Sequence, residues 1–227
     1  MQHDLWTAVD HYITDLFVGS DAALEGALAN SAAAQLPAIA VAPPQGKFLS
    51  ILARSVQARR ILEIGTLGGY STIWLARALP ADGRLITLEF EKLHAHVAQR
   101  NLEHAGVAGQ VEIRIGPAAD SLRQMITAGE APFDFIFIDA NKEQYPEYLT
   151  LSLQLARPGT LILADNTVRE GEVLNTSSTD ERVHGVRHLH ELLAHDTRLE
   201  TTVLQTVGSK GYDGFTLSLV KESTGAA

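Results

Sequence analysis

Five short β-rich runs, separated by stretches with helical spacing, constrain this chain more than any other feature. They cover residues 60–64, 84–90, 111–115, 133–138 and 160–164. Strands that are apolar along their whole length belong in a sheet covered on both faces, and the intervening helices supply the cover. The pattern predicts an α/β fold with a mostly parallel sheet. Two last runs, 200–207 and 215–220, have only GSKGYDG between them. That connection is too short for a crossover helix, so the two runs predict an antiparallel pair at one edge.

Residues 1–58 contain no strand-like run. They read as a helical N-terminal extension to an α/β core at 59–222, within a single domain spanning 1–227. Leu5, Val9, Tyr12, Ile13, Leu16 and Phe17 recur at three-to-four spacing before the stop signal Gly19-Ser20. Trp6 and Trp74 fall on apolar stripes and are expected in the core. Pro44 suits the first turn of a helix whose stripe is Phe48, Leu49, Leu52 and Val56.

Composition narrows the function classes. Asp and Glu total 27 against 18 Lys and Arg, a net charge of −9, which disfavours binding to phosphate backbones. The chain has no cysteine, which excludes disulfides, thiolate metal sites and a thiol nucleophile. No apolar run approaches the roughly 20 residues of a membrane span. The first residues carry three Asp and do not resemble a leader. The expectation is a cytoplasmic protein without nucleic-acid or membrane partners.

The first run leads into Glu63-Ile64-Gly65-Thr66-Leu67-Gly68-Gly69-Tyr70-Ser71 and then a helix. A strand–glycine turn–helix unit is where open α/β sheets bind nucleotides. Leu67 occupies the position where a dinucleotide fingerprint needs its second glycine, and there is no P-loop lysine. Glu89 ends the second run, 24 positions beyond Gly65, a place suited to accepting both ribose hydroxyls of an adenosine. An adenosyl ligand without phosphates is S-adenosylmethionine. Ser71 and the amides at the helix start can take its carboxylate, and Glu63 can sit near its cationic end.

The fourth and fifth runs each end in an acid, Asp139 and Asp165, the latter followed by Asn166. On neighbouring parallel strands about 4.8 Å apart both acids lie at the carboxyl edge, where ligands bind. Two such carboxylates repel, and a divalent cation relieves the repulsion. Two carboxylates and an amide carbonyl are hard oxygen donors that suit Mg²⁺, Mn²⁺ or Ca²⁺. Lys142, three residues after Asp139, is a candidate general base beside such an ion.

Together LEIGTLGGYS, LEFE, GPA at 116–118, FIDANKEQY and LADN resemble the metal-dependent class I O-methyltransferases of the catechol and caffeoyl-coenzyme A type. The resemblance runs in order from about Ala42 to the C-terminus. It implies a Rossmann-like, seven-stranded, mostly parallel sheet with an antiparallel edge strand and helices on both faces. It implies that Glu63, Gly65, Thr66, Ser71, Glu89, Ala118 and Asp139 line the S-adenosylmethionine site. Asp139, Asp165 and Asn166 would hold Mg²⁺ (or Mn²⁺ or Ca²⁺), with Lys142 and Asp139 catalytic. The acceptor would be a small aromatic diol, with Asn141, Glu170 and Tyr212 as substrate contacts, and the chain would form a homodimer. Asn141 stands where an Asp is usual, Glu170 where the plant enzymes carry a substrate-contacting Asn, and Val41 where a polar residue is usual. These departures weigh against a coenzyme A thioester as acceptor. Two other classes fit parts of the pattern: an NAD-type oxidoreductase, which Leu67 opposes, and a non-catalytic regulator that binds an adenosyl ligand.

His184, His188, His190 and His195 cluster in one helical stretch, but H-E-x-x-x-H is not zincin spacing, and a solvated or partner-facing helix is expected. Tyr145 and Tyr148 suit either a pocket wall or helix packing. Tyr212 and Asp213 are expected in the loop between the last two strands.

Overall fold

The computed structural model describes residues 2–222. Three helices come first: α1 (Gln2–Ile13), α2 (Ala22–Ala33) and α3 (Pro43–Ser55). Asp21 caps α2 by accepting from the amides of Ala23 and Leu24, both at 3.1 Å. Pro43 and Pro44 open α3, where a missing N–H costs nothing. Then follow β1 (Arg60–Ile64), α4 (Tyr70–Ala76), β2 (Arg84–Glu89), α5 (Lys92–His104), β3 (Val111–Ile115), α6 (Ala118–Thr127), β4 (Phe133–Ile138), α7 (Tyr145–Ser152), β5 (Ala156–Ala164), α8 (Glu181–His195), β6 (Leu199–Gly208) and β7 (Gly211–Val220).

The seven strands form one sheet in the order β3-β2-β1-β4-β5-β7-β6. The first five are parallel, β7 lies antiparallel to β5, and β6 pairs antiparallel with β7 at the outer edge. This is the Rossmann-like arrangement expected. The chain reverses its winding direction between β1 and β4, and that crevice is where open α/β sheets place ligands.

Alternation along the strands feeds two cores. Leu62, Ile64, Ile136, Ile138 and Ile162 face one way, against Leu122 and Met125 of α6, Leu149 of α7 and Leu189 of α8. Ile61, Phe135, Phe137, Leu161 and Leu163 face the other, against Leu49 of α3, Ile73 of α4 and Leu102 of α5. Val41 joins this second core, which accounts for an apolar residue there.

The structure corrects three local expectations. The β6–β7 ladder continues through Val207 opposite Tyr212 to Gly208 opposite Gly211, so only Ser209 and Lys210 form the turn. Tyr212 and Asp213 therefore lie on β7, not in a loop. Trp6 is only half-buried and no residue of α1 is buried, because no described residue covers that helix's outer face. Trp74 is also half-buried, though it does pack against the second core. His184, His188 and His195 are exposed as expected, but His190 is half-buried. Burial and the neighbouring Arg187 charge hold its pKa below the usual imidazole value. No described helix is long and apolar enough to cross a membrane.

Candidate active site

The carboxyl ends of β1, β2, β4 and β5 meet at the switch point. Gly65 leaves β1 with φ +104, and a Cβ there would stand 2.1 Å from the Asp139 carbonyl oxygen. Only glycine lets the two strand ends lie so close. Leu67 also has a left-handed backbone, φ +49, at a position where glycine would carry no strain.

Glu89 closes this turn. One oxygen accepts from the amides of Thr66 (3.2 Å) and Leu67 (2.8 Å), the other from the amide of Glu91 (2.9 Å). His94 of α5 adds Nδ1 at 3.3 Å, a neighbour that sequence reasoning missed. A carboxylate has about four acceptor positions; the three amides take three of them and His94 lies by the fourth, so ligand hydroxyls would have to share or displace these contacts. Ala118 begins α6 beyond the end of β3, and the Gly116 amide donates to the Glu89 carbonyl at 2.9 Å.

Glu63 has no exposed surface. Its carboxyl group accepts from Ser71 Oγ (2.6 Å), from Thr87 Oγ1 (2.7 Å) and from Thr72. Burial is the largest influence on it and, against those donors, raises its pKa to about 7. Ser71, expected to face a ligand carboxylate, here spends its hydroxyl on Glu63.

Asp139 and Asp165 extend β4 and β5 one residue past the paired positions Ile138 and Ala164, and the Asp165 amide donates to the Ile138 carbonyl at 2.9 Å. Asp165 is buried, and its carboxyl pKa is raised by that burial first and by the Asp139 charge second. Asp165 Oδ1 accepts from the Asn166 amide at 2.9 Å. Asn166 has φ +53, a conformation that Asn tolerates better than most residues. No group of three or more His, Cys, Asp or Glu able to hold a metal occurs among the described residues. The oxygen set is two carboxylates and one amide carbonyl. The mutual repulsion of the acids is a reason for a cation to sit there.

Lys142 is buried, an uncommon state for a lysine. Its ammonium donates to Asp139 Oδ1 at 2.8 Å and to the Tyr145 hydroxyl at 2.7 Å. Tyr145 is fully buried and in turn donates to the Asp165 carbonyl at 3.0 Å. Tyr145 thus packs in the core and, through its hydroxyl, also braces Lys142 between the two strand ends.

The weaker substrate candidates lie on the segments that follow β4 and β5 and on β7. Asn141 is exposed, and its Oδ1 accepts from the Tyr148 hydroxyl at 2.6 Å. Glu170 is exposed, in a segment where Arg169 and Glu170 have φ values of 54° and 55°. Asp213 holds that segment, accepting from the amides of Val168 (3.0 Å) and Arg169 (2.8 Å). A Cβ on Gly171 would stand 3.8 Å from the Tyr212 ring, which places Tyr212 beside the Glu170 segment.

A family model described as O-methyltransferase matches residues 19–221. A catechol O-methyltransferase from Niastella koreensis is 52% identical over 221 residues, covering 97% of this chain and 100% of its own. An O-methyltransferase from Bacillus cereus, solved in complex with S-adenosylhomocysteine, is 53% identical with a TM-score of 0.95, covering 96% of this chain and 100% of that one. TomG, an O-methyltransferase from Streptomyces achromogenes solved with S-adenosylmethionine, is 51% identical with a TM-score of 0.95, covering 98% and 100%.

Proposed function

The chain belongs to the O-methyltransferase family, and on that premise we propose that it moves a methyl group from S-adenosylmethionine to one hydroxyl of a small catechol-type aromatic, assisted by a divalent cation. The observation that carries the reading is the oxygen set of Asp139, Asp165 and Asn166 with a buried Lys142 against it. Similarity to the Niastella koreensis catechol O-methyltransferase supports the acceptor class.

In this reading Glu89 takes the ribose hydroxyls, and Glu63, Gly65, Thr66, Ser71 and Ala118 line the rest of the adenosyl site. Asp139, Asp165 and Asn166 hold Mg²⁺ or a similar ion. That ion, when bound, supplies charge that neutralises the two acids and orients two adjacent acceptor oxygens. Lys142, in its neutral amine form, takes the phenolic proton at Nζ and becomes the ammonium, and Tyr145 keeps that group at the strand ends. The deprotonated oxygen then displaces the sulfonium, so the S–CH₃ bond breaks as the O–CH₃ bond forms. A free phenol ionises near pH ~10, so proton removal needs this assistance at neutral pH. Asn141, Glu170 and Tyr212 border the acceptor.

A homodimer is the second part of the proposal. Leu5, Tyr12, Leu16 and Phe17 of the N-terminal segment are each about three-fifths exposed, and Val203, Leu204 and Val207 of the edge strand β6 are also exposed. Apolar surface on this scale marks interaction sites.

An acceptor panel tests the function. With S-adenosylmethionine and Mg²⁺, catechols should be methylated once, and single-hydroxyl phenols should fall behind by orders of magnitude in kcat/KM, since they lose one contact and the orientation it gives. Equal rates on catechols and simple phenols would refute bidentate holding of the acceptor.

A further inference from the structure

Among the groups around Asp165, one comes from far away in the chain. Gln45 Nε2, in the first turn of α3, donates to Asp165 Oδ2 at 2.7 Å across 120 positions of sequence. With the Asn166 amide on Oδ1, both oxygens of Asp165 are held, one from each side. Each oxygen keeps a lone pair, so the carboxylate is oriented without being used up. Asp139 is held differently, by the Lys142 ammonium, whose charge competes with a cation. A neutral amide donor orients its carboxylate and does not compete.

The Gln45 side chain can reach because α3 is clamped in place. A Cβ on the next residue, Gly46, would stand 2.4 Å from Trp74 of α4, so α3 lies directly against the helix that follows the glycine turn. Pro43 and Pro44 fix the backbone before it.

We propose that Gln45 is a positioning residue for Asp165: it sets the carboxylate for a divalent cation, tying the metal ligand to the helical N-terminal region. The inference rests on the metal reading above. Groups that orient metal ligands typically change metal affinity 10- to 100-fold when removed.

The test uses the full chain, with Mn²⁺ binding followed by electron paramagnetic resonance and S-adenosylhomocysteine binding by calorimetry. Gln45→Met keeps length and helix propensity but removes the donor. It should weaken Mn²⁺ on the order of tenfold or more while S-adenosylhomocysteine affinity stays as in the wild type. Gln45→Ala should show the same split, which guards against a fault peculiar to Met. Unchanged Mn²⁺ affinity in both variants overturns the assignment and leaves the metal reading standing. Equal losses for Mn²⁺ and S-adenosylhomocysteine also overturn it, because Gln45 would then merely hold α3. If the wild type binds no Mn²⁺, the metal reading itself fails, and this inference with it.

Discussion

Glu63 is a carboxyl group with no path to water, surrounded by Ser71, Thr72 and Thr87 hydroxyls. Its pKa is about 7 in the fold against 4.5 for an ordinary glutamate, so the folded state holds the proton more tightly than the unfolded chain. The stability this contributes is complete below the unfolded value and is lost as pH rises through about 7. Glu63→Gln keeps the size and removes the titration. In the absence of ligands, the stability of wild type relative to Glu63→Gln should fall by roughly 2–3 kcal/mol between pH 5 and pH 8.5. Urea unfolding at a series of pH values measures it, and parallel pH curves for the two proteins would contradict the assignment.

At the scale of elements, the site depends on how closely α8 approaches the turn bearing Lys142. A Cβ on Gly185 would stand 2.3 Å from the Lys142 carbonyl oxygen and 2.7 Å from Glu143 Cα, both backbone atoms that cannot swing away. Gly185→Ala must push α8 and the turn apart. Thermal unfolding should show a loss of about 1–3 kcal/mol, the range for overpacking. Methyl transfer should fall beyond what the unfolded fraction explains, because Lys142 moves with its turn; undiminished turnover per folded molecule would show that the turn tolerates displacement. Close approaches of this kind were not legible in the sequence. The strands were, because β2, β4 and the second half of β5 are mostly apolar, and Glu89, Asp139 and Asp165 mark their carboxyl ends. The extent of β6 and β7 was not, since Tyr212 and Asp213 look like turn residues until the Val207 and Thr206 opposite them are known. Long-range partners stayed hidden for the same reason. Nothing local marks Thr87 for Glu63, His94 for Glu89 or Gln45 for Asp165, and Lys142 declared itself only through its spacing from Asp139. Trp6 misled because a helical apolar stripe shows which face is apolar but not what covers it.

For the whole molecule, the uncovered stripe on α1 and the outer face of β6 bear on assembly. If a second copy covers them, light scattering after size exclusion should give twice the chain mass. Leu16→Glu and Phe17→Glu, at exposed positions where a monomer would accept a charge, should then shift the protein towards monomer without unfolding it. A wild type that runs as a monomer at micromolar concentration would contradict the dimer. The larger claim is that the strand-end acids, brought together by the parallel pairing of β4 and β5, work through a divalent cation in transferring a methyl group. The most direct measurement is transfer of labelled methyl from S-adenosylmethionine to a catechol before chelation, after exhaustive chelation, and after Mg²⁺ is restored. The account predicts that transfer disappears with the metal and returns with it, while S-adenosylhomocysteine still binds throughout. Transfer that continues undiminished in the chelated protein would contradict it.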